Sequence, residues 1–536
     1  MNKKQTTTIT LLSVAVIILA LLVSSRLWLR LDLTKNKAYT ISAVSKNLAK
    51  GLDEPVFITY FVTARLKSLY PNPADIEDLM REYTTYSKGK IRFAVKDPEK
   101  EGLEQQMESL GIPAQQMTLE ERNSASVFVF FSGVLIEYLD KKDVIPVVFN
   151  TDTLEYDLTS RIKALISGTN RQAGIICGIP NKNFDQNYVY LGQIMTSLGY
   201  EVRQLDPNAE IPGDLTELIV IGGAETFDDW VLYRIDNYIQ NGGKVIFLAE
   251  SVAIDLQQYG GLNARKTIDQ GLNAMLASYG VSVSDALVLD KAAISDLFRT
   301  PQGIKLMTYP FWVNVLRENA APDHPITSNF SGIDLFWANP LEINLPSQLE
   351  GQGGGLTGVP LITTTELAWL QKDNFVVDPS QIAMMQGSDS QTVGKKVLAA
   401  ALSGVFPSYW RDKEKPFSDE SSAPLPDIRA NGLPSRIVVI GNVNFVDAAF
   451  LRNDQMALRN LNFFAGAADW LSNDDDIISI RNRTETASRL DRIQDEEQRF
   501  GTMAFSRLLN TILIPLAVLI IGISLAHKRK KRTEKD

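Results

Sequence analysis

Cysteine is almost absent from this sequence: Cys177 stands alone among 536 residues. A single thiol excludes an internal disulfide and any cystine-stapled scaffold. It also leaves no Cys-x-x-Cys, so dithiol redox chemistry is excluded. Cys177 follows the apolar stretch Ala173-Gly-Ile-Ile176 and reads as a buried strand thiol. Histidine is nearly as scarce, with only His324 and His527. No G-x-x-x-x-G-K occurs, so a P-loop engine is excluded. No repeat of solenoid period is visible. Long uncharged apolar runs are confined to residues 6–25 and 508–526.

Each of those runs is long enough to cross a bilayer, which takes about 20 residues. Between them lie residues of ordinary polar and apolar mixture. The sequence therefore predicts a large domain tethered by two helices. The dense cluster Lys528-Arg-Lys-Lys-Arg532 after the second run favours a cytoplasmic C-terminus. Two spans place both termini on that side, which predicts a two-pass protein of the bacterial cytoplasmic (inner) membrane with its bulk extracytoplasmic. The alternative for residues 6–25 is a cleaved leader, against which Trp28 and its flanking arginines read as an interfacial continuation. The net charge is −9, and taking away +3 for residues 1–26 and +5 for residues 507–536 leaves −17 between them. So acidic a region has no long-range attraction for nucleic acid.

The middle is too long for one core. The expected division is residues 1–37, the first span and its flank; 38–150, a first α/β domain; 151–480, a second α/β region with insertions; 481–507, a stalk; 508–526, the second span; and 527–536, a basic tail. In the first domain, strands are expected at 55–62, 91–95, 126–131, 134–138 and 143–148. A helix over 73–86 places Ile76, Leu79, Met80 and Tyr83 on one face. The order β-α-β-α-β-β-β resembles a thioredoxin-like layout. In the second region, apolar strands at 173–179, 217–221, 244–249 and 437–441 alternate with amphipathic helices at 188–198 and 227–241. That pattern predicts a parallel sheet covered on both faces. Residues 300–350 read as irregular, 412–427 as a surface loop, and 445–451 and 456–471 as helices.

Candidate sites are few. The turn at Gly222-Gly223 could cradle an anion on the following helix, or it could be a tight turn that needs glycine; no G-x-G-x-x-G follows it. Ser251 after a buried strand could pair with His324 as nucleophile and base; the other reading of His324 is a linker residue holding the proline turn. Asn444 and Asp447 could coordinate a ligand at a strand end, or cap a helix. Asp474-Asp475-Asp476 reads as a solvated turn. Tyr309 and Trp312 could stack on a sugar or plug two domains together. Within the apolar runs, Ser13, Asn510, Pro515 and Gly522 are candidate contacts to partner helices. No catalytic residue, metal or cofactor is predicted.

Several stretches, in order, resemble the GldG-like auxiliary subunits of bacterial ABC transport systems. They are Leu31-Asp-Leu-Thr34, Tyr39-Thr-Ile-Ser42, Leu52-Asp-Glu-Pro-Val-Phe-Ile-Thr59, Ile219-Val-Ile-Gly-Gly223 and Asp323-His-Pro-Ile326. Thr363-Thr-Thr-Glu-Leu-Ala-Trp369, Ile440-Gly-Asn-Val-Asn-Phe445 and Phe463-Phe-Ala-Gly-Ala-Ala-Asp-Trp-Leu471 continue the series. Asn442 stands where that pattern has an acidic residue. The resemblance implies an α/β fold: transmembrane helices flanking a thioredoxin-like domain and a flavodoxin- or glutamine-amidotransferase-like domain without the catalytic cysteine. It implies a non-enzymatic, membrane-anchored subunit that couples to or gates a permease or handles cargo. The implied partners are an ABC permease and a cytoplasmic ATPase, with a possible second copy in the complex. The other functional expectation is a stand-alone envelope protein binding carbohydrate or peptidoglycan.

Overall fold

The computed structural model describes residues 40–472 and residue 480, apart from 122–123, 152, 169–170, 181, 257–260, 301–302, 328–329, 347–354, 382–391, 417–424, 430–431 and 452–453. The chain divides into two compact units, Met1–Ala38 with Thr486–Asp536, and Tyr39–Glu485. All described residues belong to the second. Residues 6–25 and 508–526, with Ser13, Asn510, Pro515 and Gly522, lie outside the described residues, as do Asp474-Asp475-Asp476, His527, the stalk and the basic tail.

The expectation of membrane-spanning helices, and with it the two-pass inner-membrane topology, is corrected here. Among the described residues no helix is long and apolar enough to cross a membrane. The longest of them, Asp454–Ser472, covers 19 residues. Its Asn460 and Arg459 bond to Asp334, and Phe463, Phe464, Ala467 and Ala468 pack into a core. It is a packing helix that carries the buried Asn460 into the interior beside its apolar residues. What the structure describes is a mixed α/β unit.

The N-terminal part is built on a four-stranded sheet, β1 (Val56–Val62), β2 (Ile91–Lys96), β3 (Ser132–Tyr138) and β4 (Lys141–Ile145), in the order β2-β1-β3-β4. β1 runs parallel to β2 and antiparallel to β3. Period-two alternation sends Val56, Ile58, Tyr60 and Val62 into one core, while Phe57 stays exposed. Helices α1 (Ala43–Lys50), α2 (Asn72–Tyr86) and α3 (Leu154–Ser167) cover that face. The strand expected at 126–131 leaves this sheet. Ser124–Phe130 pairs with Gln115–Glu121 as a separate hairpin, because Phe128 and Phe130 bury against the helices.

The larger sheet has nine strands: β5 (Arg171–Gly178), β6 (Tyr200–Gln204), β7 (Glu217–Gly222), β8 (Val245–Leu248), β9 (Val281–Val283), β10 (Leu341–Ile343), β11 (Thr357–Thr363), β12 (Val397–Gly404) and β13 (Ser435–Ile440). Their order is β9-β10-β12-β13-β8-β7-β5-β6, with β11 also on β12. It is not wholly parallel. β6, β5, β7, β8 and β13 are parallel neighbours, whereas the pairings from β13 outward through β12 are antiparallel. Ile219 and Ile221 of β7 face one core with helices α4 (Val189–Ser197) and α7 (Asp454–Ser472). Leu218 and Val220 face the other, with α5 (Asp229–Gln240) and α6 (Leu272–Ser278). Burial on both faces is why β7 has no polar alternation. The described residues between 303 and 346 are more regular than expected: Gly303–Val315 is a strand of 13 residues between Ala293–Thr300 and Ile333–Phe336. Residues 445–451 form turns and not a helix.

Candidate functional site at the carboxyl edge of the large sheet

β6 lies on one side of β5 and β7 on the other, so the connections after β5 and β7 diverge. In open α/β sheets a ligand crevice forms outside such a divergence, at the carboxyl ends. Four segments meet at that edge here: Ile179, Pro180, Lys182 and Asn183 after β5, Gly223 onward after β7, Glu250-Ser251 after β8 and Gly441–Asp447 after β13.

Gly222 and Gly223 have φ of +62° and +106°. A Cβ on Gly223 would meet the Phe227 ring at 2.1 Å, and one on Gly222 would meet Ile179 at 2.5 Å. Glycine is therefore required by close packing and by the left-handed backbone. The turn does not open onto a helix start. α5 begins only at Asp229, and the Asp228 carboxylate accepts from the N–H groups of Trp230 and Val231 at 3.1 and 3.0 Å. The donors that an anion would need are held by the chain itself.

Asp447 is 1% exposed. It pairs with the Lys182 ammonium, which also reaches Asn444 Oδ1 at 3.2 Å. Asp447 Oδ1 accepts from the N–H of Ala449 at 3.0 Å. Asn442 donates to the Phe336 carbonyl at 2.6 Å and accepts from the Asn444 N–H at 3.1 Å. Lys182 thus joins the connection after β5 to the one after β13, across the ends of β7 and β8. The Ala448 N–H donating to the Asn187 carbonyl at 2.7 Å adds a second tie. Near them, burial pushes the Glu250 carboxyl up to about 7, opposed by the charge of Lys182. Tyr188 is fully buried, and its hydroxyl has no hydrogen-bond partner among the described residues. Among the described residues no group of acidic, histidine or cysteine side chains could hold a metal ion.

Ser251 is fully buried. Its hydroxyl donates to the Ser284 carbonyl at 2.5 Å and accepts from Asn339 Nδ2 at 3.1 Å. His324 Nδ1 accepts from the Ile326 N–H at 3.2 Å, and its ring lies 5.2 Å from Trp470. Burial, aided by the Arg436 charge, pushes its pKa down to about 4, a poor value for a general base near neutrality. Ser251 and His324 have separate sets of partners, and no hydrogen bond joins them among the described residues. Tyr309 and Trp312 are 0% and 4% exposed. Both lie 5.2 Å from the Phe298 ring, among Phe336 and Trp337, so neither presents a face to a sugar. The stacking reading is corrected by that burial.

Lys182 is the participant that sequence reasoning missed. Its partner lies 265 positions away, and a lone lysine in a polar connection has no local signature.

A family model described as an ABC-type uncharacterized transport system matches residues 170–474, just over half of the chain. The chain belongs to that family. It is a GldG-like auxiliary, non-enzymatic subunit of an ABC-type transport system. A second model, a domain of unknown function (DUF7088), matches residues 35–137. An uncharacterized protein of Borreliella burgdorferi is similar to this subunit, 26% identical over 512 residues, covering 94% of each chain. Among solved structures, the mmIFT52 N-terminal domain covers 56% of the subunit and is itself covered to 98%, at 12% identity and a TM-score of 0.33. A likeness that slight carries no argument.

Proposed function

We propose that this auxiliary subunit works by protein contact with a separately encoded ABC permease and ATPase, and that a second copy joins the same assembly. The family match over residues 170–474 carries the reading. The state of the carboxyl edge supports it. The crevice where an α/β enzyme would hold its substrate is crossed here by the Lys182–Asp447 pair, and the glycine turn is filled by Phe227. The serine at the strand end is spent on structural hydrogen bonds. Such a unit acts through its surface.

The test is co-purification of the tagged full chain in mild detergent, with mass spectrometry of the recovered chains and light scattering of the assembly. The expected result is a complex with an ATPase and a multi-span permease in fixed ratio, carrying two copies of this subunit. A chain recovered alone and monodisperse would end the proposal.

A further inference from the structure

An outer strand of each sheet, β4 of the small one and β6 of the large one, borders a cavity of about 480 Å³. The C-terminal ends of α3 and α4 close it. Its lining carries four cations, Lys141, Lys142, Arg161 and Arg171, against two acids, Asp143 and Glu201. The excess is +2, in a chain whose net charge is −9. Cations gathered in one concavity repel one another unless anions answer them, and the low-dielectric walls focus their field.

The acids present do not answer all of them. Arg161 is only 6% exposed. Its Nη1 donates to Asp143 Oδ1 and its Nη2 to the Ser197 carbonyl at the end of α4, each at 2.6 Å. Its Nε–H donates to no group among the described residues. Arg171 Nη1 reaches the neighbouring Leu198 carbonyl at 3.5 Å. Glu201 turns to Arg203 at 3.8 Å, and Lys142 forms an exposed pair with Glu137 at 3.0 Å, a pair that holds it weakly. The Lys141 ammonium has neither an ion pair nor a hydrogen bond among the described residues. It lies so near Gly168 that a Cβ there would meet it at 2.7 Å, and a Cβ on Gly199 would meet Arg161 Nη1 at 3.2 Å. These two glycines, with φ of +70° and +83°, end the two helices and leave both cations uncovered. The dipole of α3 favours a lysine at its C-terminus, which accounts for the place of Lys141 but leaves its N–H donors open.

A dianion matches the excess charge. A tetrahedral phosphate offers acceptor oxygens to several donors at once, and guanidinium and ammonium together are the donors that such a group selects. A nucleic-acid strand would carry further phosphates across the acidic surface around the cavity, so the ligand is small. We propose that the cavity binds a free phosphate monoester as its dianion, with Arg161 and Lys141 as the contacts and Lys142 and Arg171 as supporting charge. A ligand held there touches both β4 and β6 and joins the N-terminal part to the large sheet.

The experiment titrates the full chain with glycerol 3-phosphate by calorimetry, at pH 7.5 in phosphate-free buffer of low salt. One saturable site per chain is expected, with a Kd on the order of 1 mM or below. Methyl sulfate has the same tetrahedral head with a single charge and should bind about tenfold more weakly. Lys141→Glu changes an exposed side chain and should weaken binding tenfold or more, while Lys305→Glu, outside the cavity, should leave it unchanged. Arg161→Met made together with Asp143→Asn, so that no charge is left unpaired, should abolish binding. Should that double variant not fold, the comparison of Lys141→Glu with Lys305→Glu decides. Absence of saturable binding overturns the site, and equal binding of methyl sulfate overturns the dianion. Binding that survives Lys141→Glu, or that falls equally in Lys305→Glu, shows general charge attraction and refutes the proposal.

Discussion

The two ends of the large sheet bury acids in opposite ways. At the carboxyl end, Asp447 is met by a lysine that remains partly in water, and the pair ties two distant connections together. At the amino end, Glu217 is wholly buried at the start of β7. Burial is the main influence on it and the nearby Asp469 carboxylate the next, only partly offset by Arg171 and by a hydrogen bond from the Tyr200 hydroxyl at 3.3 Å. Its carboxyl is pushed up to about 8, so it keeps its proton at neutral pH. An acid in direct contact with a cation serves as a tie. An acid that must share its cation with another carboxylate stays neutral and makes its neighbourhood sensitive to pH.

The largest break in that contrast should come from Lys182→Met. It leaves Asp447 buried without a counter-charge, at a cost of about 3–5 kcal/mol. A urea midpoint measured beside the Lys182→Met, Asp447→Asn double variant checks this. The double variant should recover most of the loss, and failure to do so would mean that the charge is not the cause.

Glu217→Gln sharpens the other side. Between pH 4.5 and about 8 the folded carboxyl holds a proton that the unfolded one has released, so stability falls as pH rises through that window. The Gln variant should flatten this slope, with a gain on the order of 1–4 kcal/mol at pH 8 and little at pH 4. Thermal midpoints across the range decide it, and parallel curves for the two proteins would contradict the assignment.

His324→Asn should give a smaller effect of opposite sense. The histidine is held neutral in the fold down to about pH 4, so the native state loses stability as pH falls from 6.5 towards 4. Removing the ring should erase roughly 1–2 kcal/mol of that acid-side slope. The smallest effect is expected from Ser251→Ala, roughly 1 kcal/mol for two lost hydrogen bonds, with thermal stability as the readout.

Local pattern made much of the architecture legible. The apolar run at 217–221 announced a strand buried on both faces, and Val231, Ile235 and Tyr238 marked the inner stripe of α5. Ile76, Leu79, Met80 and Tyr83 did the same for α2. These succeed because a regular element repeats every two or 3.6 residues, and solvent sorts its faces. The failures were of another kind. The segment at 126–131 has the composition of a sheet strand, yet it pairs away from the sheet. Tyr309 and Trp312 could be named as an aromatic cluster, but whether they met water or Trp337 depended on strands brought in from elsewhere. Lys182 carried no signal until Asp447 arrived beside it.

By itself, then, the order of residues determined that this protein is built of alternating strands and helices, that it has no cystine, and that its transport-system kinship is carried by short stretches spread along the chain. Only the tertiary structure decided that Lys182 and Asp447 tie two distant connections at the carboxyl edge, and that no hydrogen bond joins the serine to the histidine among the described residues. Periodicity is a property of neighbours in the chain, whereas burial, charge pairing and empty volume belong to groups that folding brings together.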